Sequence, residues 1–359
     1  MSKRLILFGP LPPPYGGVSV FVSSLLAHLK DHNFQMWTLY GADASDGRIV
    51  RIKHRRLEVV AALRKYAANA RIVDFTHFHL EYPHQILLPI WLTAKLTLKF
   101  EWFKYILDGS LPERYQHFTA VQRRMFKMAV NAVDQFIVVS EELRDWLRNE
   151  VQVQQEITVI PCLLTIPDET LEQPLVTGMQ SRLSAFRKHS QRVCTIGTFI
   201  PSYGFLHVAN AVERLRKKTG EDIGLLLLDG AFATEPGYRE QVLAGREWIT
   251  VLTNVPNPQV YQLLRECQLF ARAFGAESYG ISRVEAIWCG VPVIATAVGE
   301  TRGMRTYNFG DEDRLTELMG DALATDKAEW AAELERWSQQ FRVEAESNLH
   351  KFIETVGLV

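Results

Sequence analysis

Two glutamates eight residues apart, Glu277 and Glu285, are the residues of this chain best placed to do chemistry. They stand in the run AESYGISRVEAIWCGVPVIAT, from Ala276 to Thr296. A helix that opens after Gly280 presents free backbone N–H groups and the positive end of its dipole, which suits a phosphate. A carboxylate beside it accepts hydrogen bonds from hydroxyls and suits a neutral polyol. Side by side, the two chemistries point to a nucleotide sugar. The same residues also read as ordinary punctuation. Ser282-x-x-Glu285 has the form of a capping box with Ser282 as N-cap. Gly290 and Pro292 end the helix, and Val291, Val293 and Ile294 suit a buried strand.

The elements that must carry this pair begin at the other end of the chain. Leu5–Phe8 reads as a buried strand, followed by GPLPPPYGGVS and a helix with Phe21, Val22, Leu25, Leu26 and Leu29 on one face. Pro12, Pro13 and Pro14 stiffen that loop, and Gly16 and Gly17 let a ligand come close to a helix start. Strands are expected near 4–9, 34–40, 73–80, 103–108, 135–139 and 157–161. Helices are expected at 17–30, 55–71, 114–131 and 141–149. The second half repeats the alternation as VCTIGTF, a helix ending at Gly220, IGLLLLDG, WITVLTNV, a helix through Tyr261–Cys267, LFARAF, the Glu285 helix and VPVIAT. Such alternation implies α/β architecture, with parallel sheets covered by helices and ligands at the carboxyl ends of the strands.

A chain of 359 residues exceeds one typical hydrophobic core, so two doubly wound, Rossmann-like domains are expected. The expected division is 1–165 for the first domain, a polar linker over 166–190 and 191–325 for the second. Terminal helices over 326–359 follow, carrying Trp330, Trp337 and Phe341.

With those motifs assembled, the chain resembles the GT-B-fold retaining glycosyltransferases of family 4, the glycosyl transferases group 1. The likeness runs from PPPYGGVS through FIVVSEELRDWL, ITVIP and IGTFIPSYGF to the E-x7-E pair. It implies two domains facing a cleft and a hexose moved from a nucleoside diphosphate sugar to a hydroxyl with retention. It assigns Glu277 to the donor sugar and Glu285 to the ribose hydroxyls. The backbone at Gly280 and Ile281 would meet phosphate or sugar, and Gly16 and Gly17 would face the diphosphate and the acceptor. Base contacts would come from loop residues around Asn254 and Val255. The last helical stretch would pack back on the first domain.

Three departures from the family pattern stand out. Relatives carry an Arg after the strand glycine and a Lys before the next glycine, both on the diphosphate. Here Thr198 follows Gly197 and Tyr203 precedes Gly204. Where relatives have His-Gly near the reacting sugar, this chain has Asp108-Gly109. Losing a cation from a desolvated phosphate site costs roughly 2–5 kcal/mol. Arg272, Arg283 and Arg302 are the candidates to replace it, with a solvated helix position (Arg283) and structural salt bridges (Arg272, Arg302) as the alternative readings. Asp108 reads either as a group that takes the acceptor proton or holds a sugar hydroxyl, or as the opening of an Asp-Gly turn. His77, His79 and His84 read as metal ligands, acceptor-side polar residues or plain surface histidines.

Residues 1–165 hold 20 Lys and Arg against 15 Asp and Glu, while the remainder holds 20 against 26. The positive charge concentrates in RIKHRRLEVVAALRKYAANAR and QRRMFKMAV, beside the aromatic run WLTAKLTLKFEWFKY. That surface suits an anionic lipid face or an anionic acceptor, or it is a solvated helix face over the core. Neutral overall balance and the lack of a nucleic-acid motif exclude DNA and RNA as partners. No segment reads as a membrane span or signal peptide. Cys162, Cys194, Cys267 and Cys289 show no metal or redox spacing, which fits a reducing cytosol. The expectation is therefore a metal-independent hexosyltransferase of polysaccharide biosynthesis, cytoplasmic and peripheral to the inner membrane face. It would need no cofactor, taking a nucleotide-sugar donor and a glycan or lipid-linked acceptor. The rivals are a catalytically degenerate relative that binds nucleotide or glycan as a partner protein, and an enzyme of this fold doing other phosphate-leaving-group chemistry.

Overall fold

A computed structural model describes residues 3–39, 41, 47–52, 56–77, 80 and 87–358. The chain divides into two compact units. The first comprises residues 1–13, 17–164 and 346–359, and the second comprises 14–16 and 165–345.

The first unit is built on a seven-stranded parallel sheet. Its strands are β1 (Leu5–Phe8), β2 (Phe34–Thr38), β3 (Ile49–Arg51), β4 (Arg71–Asp74), β5 (Glu101–Ile106), β6 (Gln135–Val138) and β7 (Glu156–Val159). Their order, β3-β2-β1-β4-β5-β6-β7, is that of a dinucleotide-binding fold. Between them run α1 (Gly17–His28), α2 (Arg56–Tyr66), α3 (Leu87–Leu98), α4 (Leu111–Gln116), α5 (Ala120–Ala132) and α6 (Glu141–Trp146). The helix expected over 114–131 is two helices, because Thr119 and Gln122 form a capping box that starts α5 afresh. The strand expected over 73–80 stops at Asp74. There its carboxylate accepts from the Thr76 N–H (2.8 Å) and hydroxyl (2.7 Å) and turns the chain off the sheet.

The aromatic run lies inside. Trp91, Phe100, Trp102, Phe103 and Tyr105 are buried, with Trp91 stacked on Phe8 (5.7 Å) and edge-on to Trp102 (5.7 Å). Its aromatic part therefore serves the core, and the lipid-facing reading keeps only what stays exposed. That remainder includes Leu96 on α3 and Val121, Arg123, Arg124, Lys127 and Met128 on α5.

Asp74 also meets Lys104 across the β4–β5 register, with Lys104 Nζ 3.6 Å from Asp74 Oδ2 and both side chains fully buried. Trp102 Nε1 donates to the same oxygen at 3.2 Å, and Lys104 donates to the Thr76 carbonyl. Removing one partner of such a pair leaves a bare charge in the core. Lys104→Met should destabilise the fold by about 3–5 kcal/mol, read from the denaturant midpoint. Adding Asp74→Asn should recover part of that loss. A single variant as stable as wild type would show that the pair is neutral.

The second unit carries a six-stranded parallel sheet of β8 (Gln191–Phe199), β9 (Ile223–Thr234), β10 (Ile249–Thr253), β11 (Leu269–Arg272), β12 (Val293–Thr296) and β13 (Arg305–Tyr307). Its order, β10-β9-β8-β11-β12-β13, repeats the first pattern. The helices are α7 (Asp168–Leu171), α8 (Thr177–Arg182), α9 (Phe205–Thr219), α10 (Tyr238–Leu243), α11 (Asn257–Arg265), α12 (Ile281–Trp288), α13 (Glu312–Ala324) and α14 (Lys327–Val356). The stretch expected to be a linker therefore contains α7 and α8. In the first unit, the end of α14 packs Phe352 against Phe75 and Tyr105 (6.4 Å each), and Arg71 donates to the Val356 carbonyl at 2.7 Å. Among the described residues no helix is long and apolar enough to cross a membrane.

Candidate functional site

The site is made where β11 hands over to α12. Gly280 is the N-cap of α12 in a left-handed conformation (φ +93°), and no side chain caps the helix. That overturns the capping-box expectation for Ser282 and Glu285. The start of α12 thus keeps backbone donors that no side chain has taken. A Cβ at Gly280 would stand 2.8 Å from Arg283 Cδ and 3.1 Å from Glu277 Cγ, so glycine also lets those two side chains close together.

Glu277 leads back into β11. Its Oε2 accepts from Arg272 Nε at 2.8 Å and lies 3.9 Å from Arg283 Nε. Burial alone would raise its carboxyl, but the two guanidiniums hold it below the ordinary range. Arg272 also donates to the Ile196 carbonyl of β8, and its guanidinium carbon lies 5.1 Å from the Tyr203 ring centroid and 5.0 Å from that of Phe274. Those two rings stack on one another at 4.2 Å.

Arg283 is not a solvated helix residue, because it is fully buried. Its terminal nitrogens donate to the carbonyls of Thr296, Val298 and Glu300 and to Thr296 Oγ1, stapling the loop after β12 to α12. Only Nε is left, buried and without a hydrogen-bond partner among the described residues. Desolvation brings its pKa down to about 10. Arg302 forks between Glu300 and Glu344, as a structural salt bridge would.

Glu285, one helical turn further on, is buried and accepts from the Tyr261 hydroxyl at 3.1 Å. Asn257 Nδ2 donates to that hydroxyl at 2.5 Å. Burial pushes the carboxyl up to about 7, against the pull of Tyr261 and Asn257. Sequence reasoning missed both partners. Asn257 and Tyr261 are one turn apart on α11, beside the buried Val260, Leu263 and Leu264, and that spacing is the signal that would have placed them on the inner face.

Thr198 has its hydroxyl spent inside the fold. It is fully buried, with its hydroxyl bonded to Asp229 Oδ1 and the Ala233 carbonyl. Gly204 caps α9 at φ +66°, where a Cβ would fall 2.2 Å from the Ala273 carbonyl oxygen, so β11 and the start of α9 pack at backbone distance. Asn254 takes a left-handed turn after β10 (φ +52°) and donates its N–H to Asp229 O at 2.8 Å, with Val255 buried beside it.

In the first unit, both oxygens of Asp108 are engaged. Oδ1 accepts from the Ser110 N–H (2.9 Å) and hydroxyl (2.7 Å), and Oδ2 accepts from Arg114. Burial would raise this carboxyl, yet Arg114, Ser110 and the nearby His77 hold it below its usual value. A carboxylate held that low is a poor proton acceptor, and the turn reading describes it. Gly17 opens α1, where an added Cβ would meet no protein atom within 4 Å, so the packing of the chain itself does not demand a glycine there. Gly16 belongs to the three-residue segment grouped with the second unit. His79 and His84 lie outside the described residues, and no cluster of three or more His, Cys, Asp or Glu among the described residues could hold a metal.

A family model described as Glycosyltransferase Family 4 matches residues 15–164, and one described as Glycosyl transferases group 1 matches residues 180–308. No curated protein sequence matches the chain. Among solved structures, sucrose-phosphate synthase from Thermosynechococcus elongatus superposes with a TM-score of 0.72 at 17% identity, over 99% of this chain and 98% of its own. HepE of Anabaena, solved with UDP and glucose, gives 0.73 at 15% identity over 100% of both chains. A trehalose-phosphate synthase from Burkholderia xenovorans, solved with glucose-6-phosphate, gives 0.72 at 13% over 99% and 100%. At these identities the likeness is one of fold, the GT-B pairing of two Rossmann-like units. The two family models cover most of the sequence between them, and the second spans Glu277, Gly280 and Glu285. The chain belongs to the family 4, group 1 glycosyltransferases.

Proposed function

We propose that the protein moves a hexose from a nucleoside diphosphate sugar to a hydroxyl of a glycan or lipid-linked acceptor, retaining the anomeric configuration. The observation that carries this reading is the pair Glu277 and Glu285 set either side of a helix start that no side chain caps. Glu277 then holds hydroxyls of the donor sugar, Glu285 holds the ribose, and the N–H groups at Gly280 and Ile281 receive a phosphate oxygen. Asn254 and Val255 stand at the end of β10 for the base. HepE and its UDP-glucose complex make UDP-glucose a natural first donor to try.

Retention asks little of the protein as a base, because the departing diphosphate can take the acceptor proton on the same face. The engaged, low-pKa Asp108 fits that division of labour. What remains is positioning and stabilising the charge that builds on the leaving phosphate, which guanidiniums and helix N–H groups do without a metal. The exposed Leu96, Val121 and Met128 beside Arg123, Arg124 and Lys127 suit an anionic inner membrane face, where lipid-linked acceptors of polysaccharide biosynthesis are met.

The test is thermal unfolding with UDP, GDP, ADP, TDP and CDP and their sugar conjugates, in EDTA, with and without phosphatidylglycerol vesicles. One base should raise the midpoint. Its sugar conjugate should then be turned over, and the anomeric proton of the product should report retention by NMR. No shift for any nucleotide would sink the reading in favour of a binding protein that has lost its donor.

A further inference from the structure

The donor reading leaves a question that the chain itself answers: which cation meets the diphosphate when Thr198 and Tyr203 stand where relatives carry Arg and Lys? We infer that Arg272, on β11, is the diphosphate-binding cation of this protein, and that Tyr203 and Phe274 form the aromatic platform that holds it there. The inference rests on the donor-site reading above and extends it to a residue that comes from a different strand.

The charge balance comes first. Two guanidiniums, Arg272 and Arg283, converge on the single carboxylate of Glu277. All three are largely buried. An excess cation out of water is costly unless an anion joins it. The unfilled donors come second. Arg283 Nε is buried with no hydrogen-bond partner, and Ile281 and Ser282 begin a helix that no side chain caps. Arg272 spends Nε on Glu277 and Nη1 on the Ile196 carbonyl, which leaves Nη2 uncommitted among the described residues.

Arg283 cannot take the task, because its terminal nitrogens are tied to three carbonyls and to Thr296. Thr198 cannot take it either, because its hydroxyl is spent on Asp229 and Ala233. Arg272 can. Its planar fork is fixed at one edge by Glu277 and Ile196 and rests against the stacked pair of Tyr203 and Phe274 rings, 5.1 and 5.0 Å from their centroids. A guanidinium pinned this way loses little freedom on meeting a phosphate oxygen, and it can serve a carboxylate and a phosphate together. Tyr203 is thus not a gap in the site. It supplies, with Phe274, an aromatic stack that positions the cation in place of a cation of its own.

Titration calorimetry tests this with wild type, Arg272→Met, Arg272→Lys and the double variant Arg272→Met/Tyr203→Lys. The probes are UDP, GDP and ADP and the matching nucleosides. Arg272→Met should weaken the diphosphate that wild type binds by roughly 30-fold or more, while the affinity for its nucleoside stays unchanged. Lys, which keeps the charge but not the fork, should fall between the two. A lysine at 203 should restore at least part of the loss by returning a cation to the loop. Unfolding midpoints report whether Arg272→Met is folded; if it is not, Arg272→Lys carries the comparison. Equal loss of diphosphate and nucleoside, or no loss of either, would overturn the role of Arg272 and leave the donor site standing. Failure of wild type to bind any of the diphosphates would overturn the donor site, and this inference with it.

Discussion

Glu277→Gln should lower turnover by roughly 10²–10³-fold and loosen the fold in the same stroke. The first effect follows from the donor reading: a neutral amide cannot match a carboxylate in holding sugar hydroxyls as positive charge develops at the anomeric carbon. The second follows from geometry alone. Glu277 is the carboxylate on which Arg272 and Arg283 converge, and its loss leaves two cations in a buried site with one fewer anion. Breaking a buried pair costs about 3–5 kcal/mol, and the retained amide oxygen puts Gln towards the lower end.

The two effects separate by pH. Glu277 titrates below the ordinary carboxylate range when folded, so its charge stabilises the fold above that range. That contribution is lost as pH falls through the lowered value. Wild type should therefore lose stability in acid more steeply than Glu277→Gln, and the gap between their denaturant midpoints should hold from pH 7 down to the ordinary carboxyl value of 4.5 and narrow below it. Free nucleoside diphosphate should recover stability by mass action without recovering turnover. Wild-type turnover in the variant would remove Glu277 from the reaction, whatever its stability.

The alternation that reveals two parallel sheets is legible because central strands such as LILF, IGLLLLDG and VIAT are buried on both faces and, apart from Asp229 and Thr296 at the ends of their apolar runs, carry no polar residue to confuse the period. The edge strands β3 and β13 are three residues long and partly exposed, so IVR and RTY leave no pattern to read. The E-x7-E spacing is legible for a local reason, since a loop and one helix set it. Glu285 shows where local reasoning ends. Ser282 and Glu285 have the right spacing for a capping box, but Gly280 takes the N-cap, and Glu285 turns to Tyr261 on another helix. Arg283 shows the same limit from the other side. In ISRVEAIW every residue from Arg283 to Trp288 is buried, so the helix has almost no wet face for an arginine to occupy. A charged residue in such a helix must find its partners inside, and these lie in the loop after β12, too far along the chain for spacing to predict.

The affinity for the donor should rise with pH through about 7, and Glu285→Gln should abolish that rise. Burial holds the Glu285 carboxyl near 7 in the free protein, with Tyr261 and Asn257 pulling the other way. A ribose presents two hydroxyl donors, and only the ionised carboxylate can accept from both while still accepting from Tyr261. Below pH 7 the donor must therefore drive a proton off as it binds, a release that calorimetry in buffers of different ionisation enthalpy reads directly. A carboxyl raised from 4.5 to about 7 favours the protonated fold. Stability without donor thus falls as pH climbs through that interval, by about 3 kcal/mol in full. Glu285→Gln should remove this fall and be the more stable protein at pH 8, while binding donor roughly 100-fold more weakly for want of two charge-assisted hydrogen bonds. Tyr261→Phe takes away one donor to the carboxylate and should move the affinity midpoint to higher pH, leaving the plateau above it in place. An affinity that stays flat from pH 6 to 8 in wild type would mean that Glu285 is already ionised when the ribose arrives, and the buried Tyr261 and the half-buried Asn257 would then be holding charge in place and not gating it.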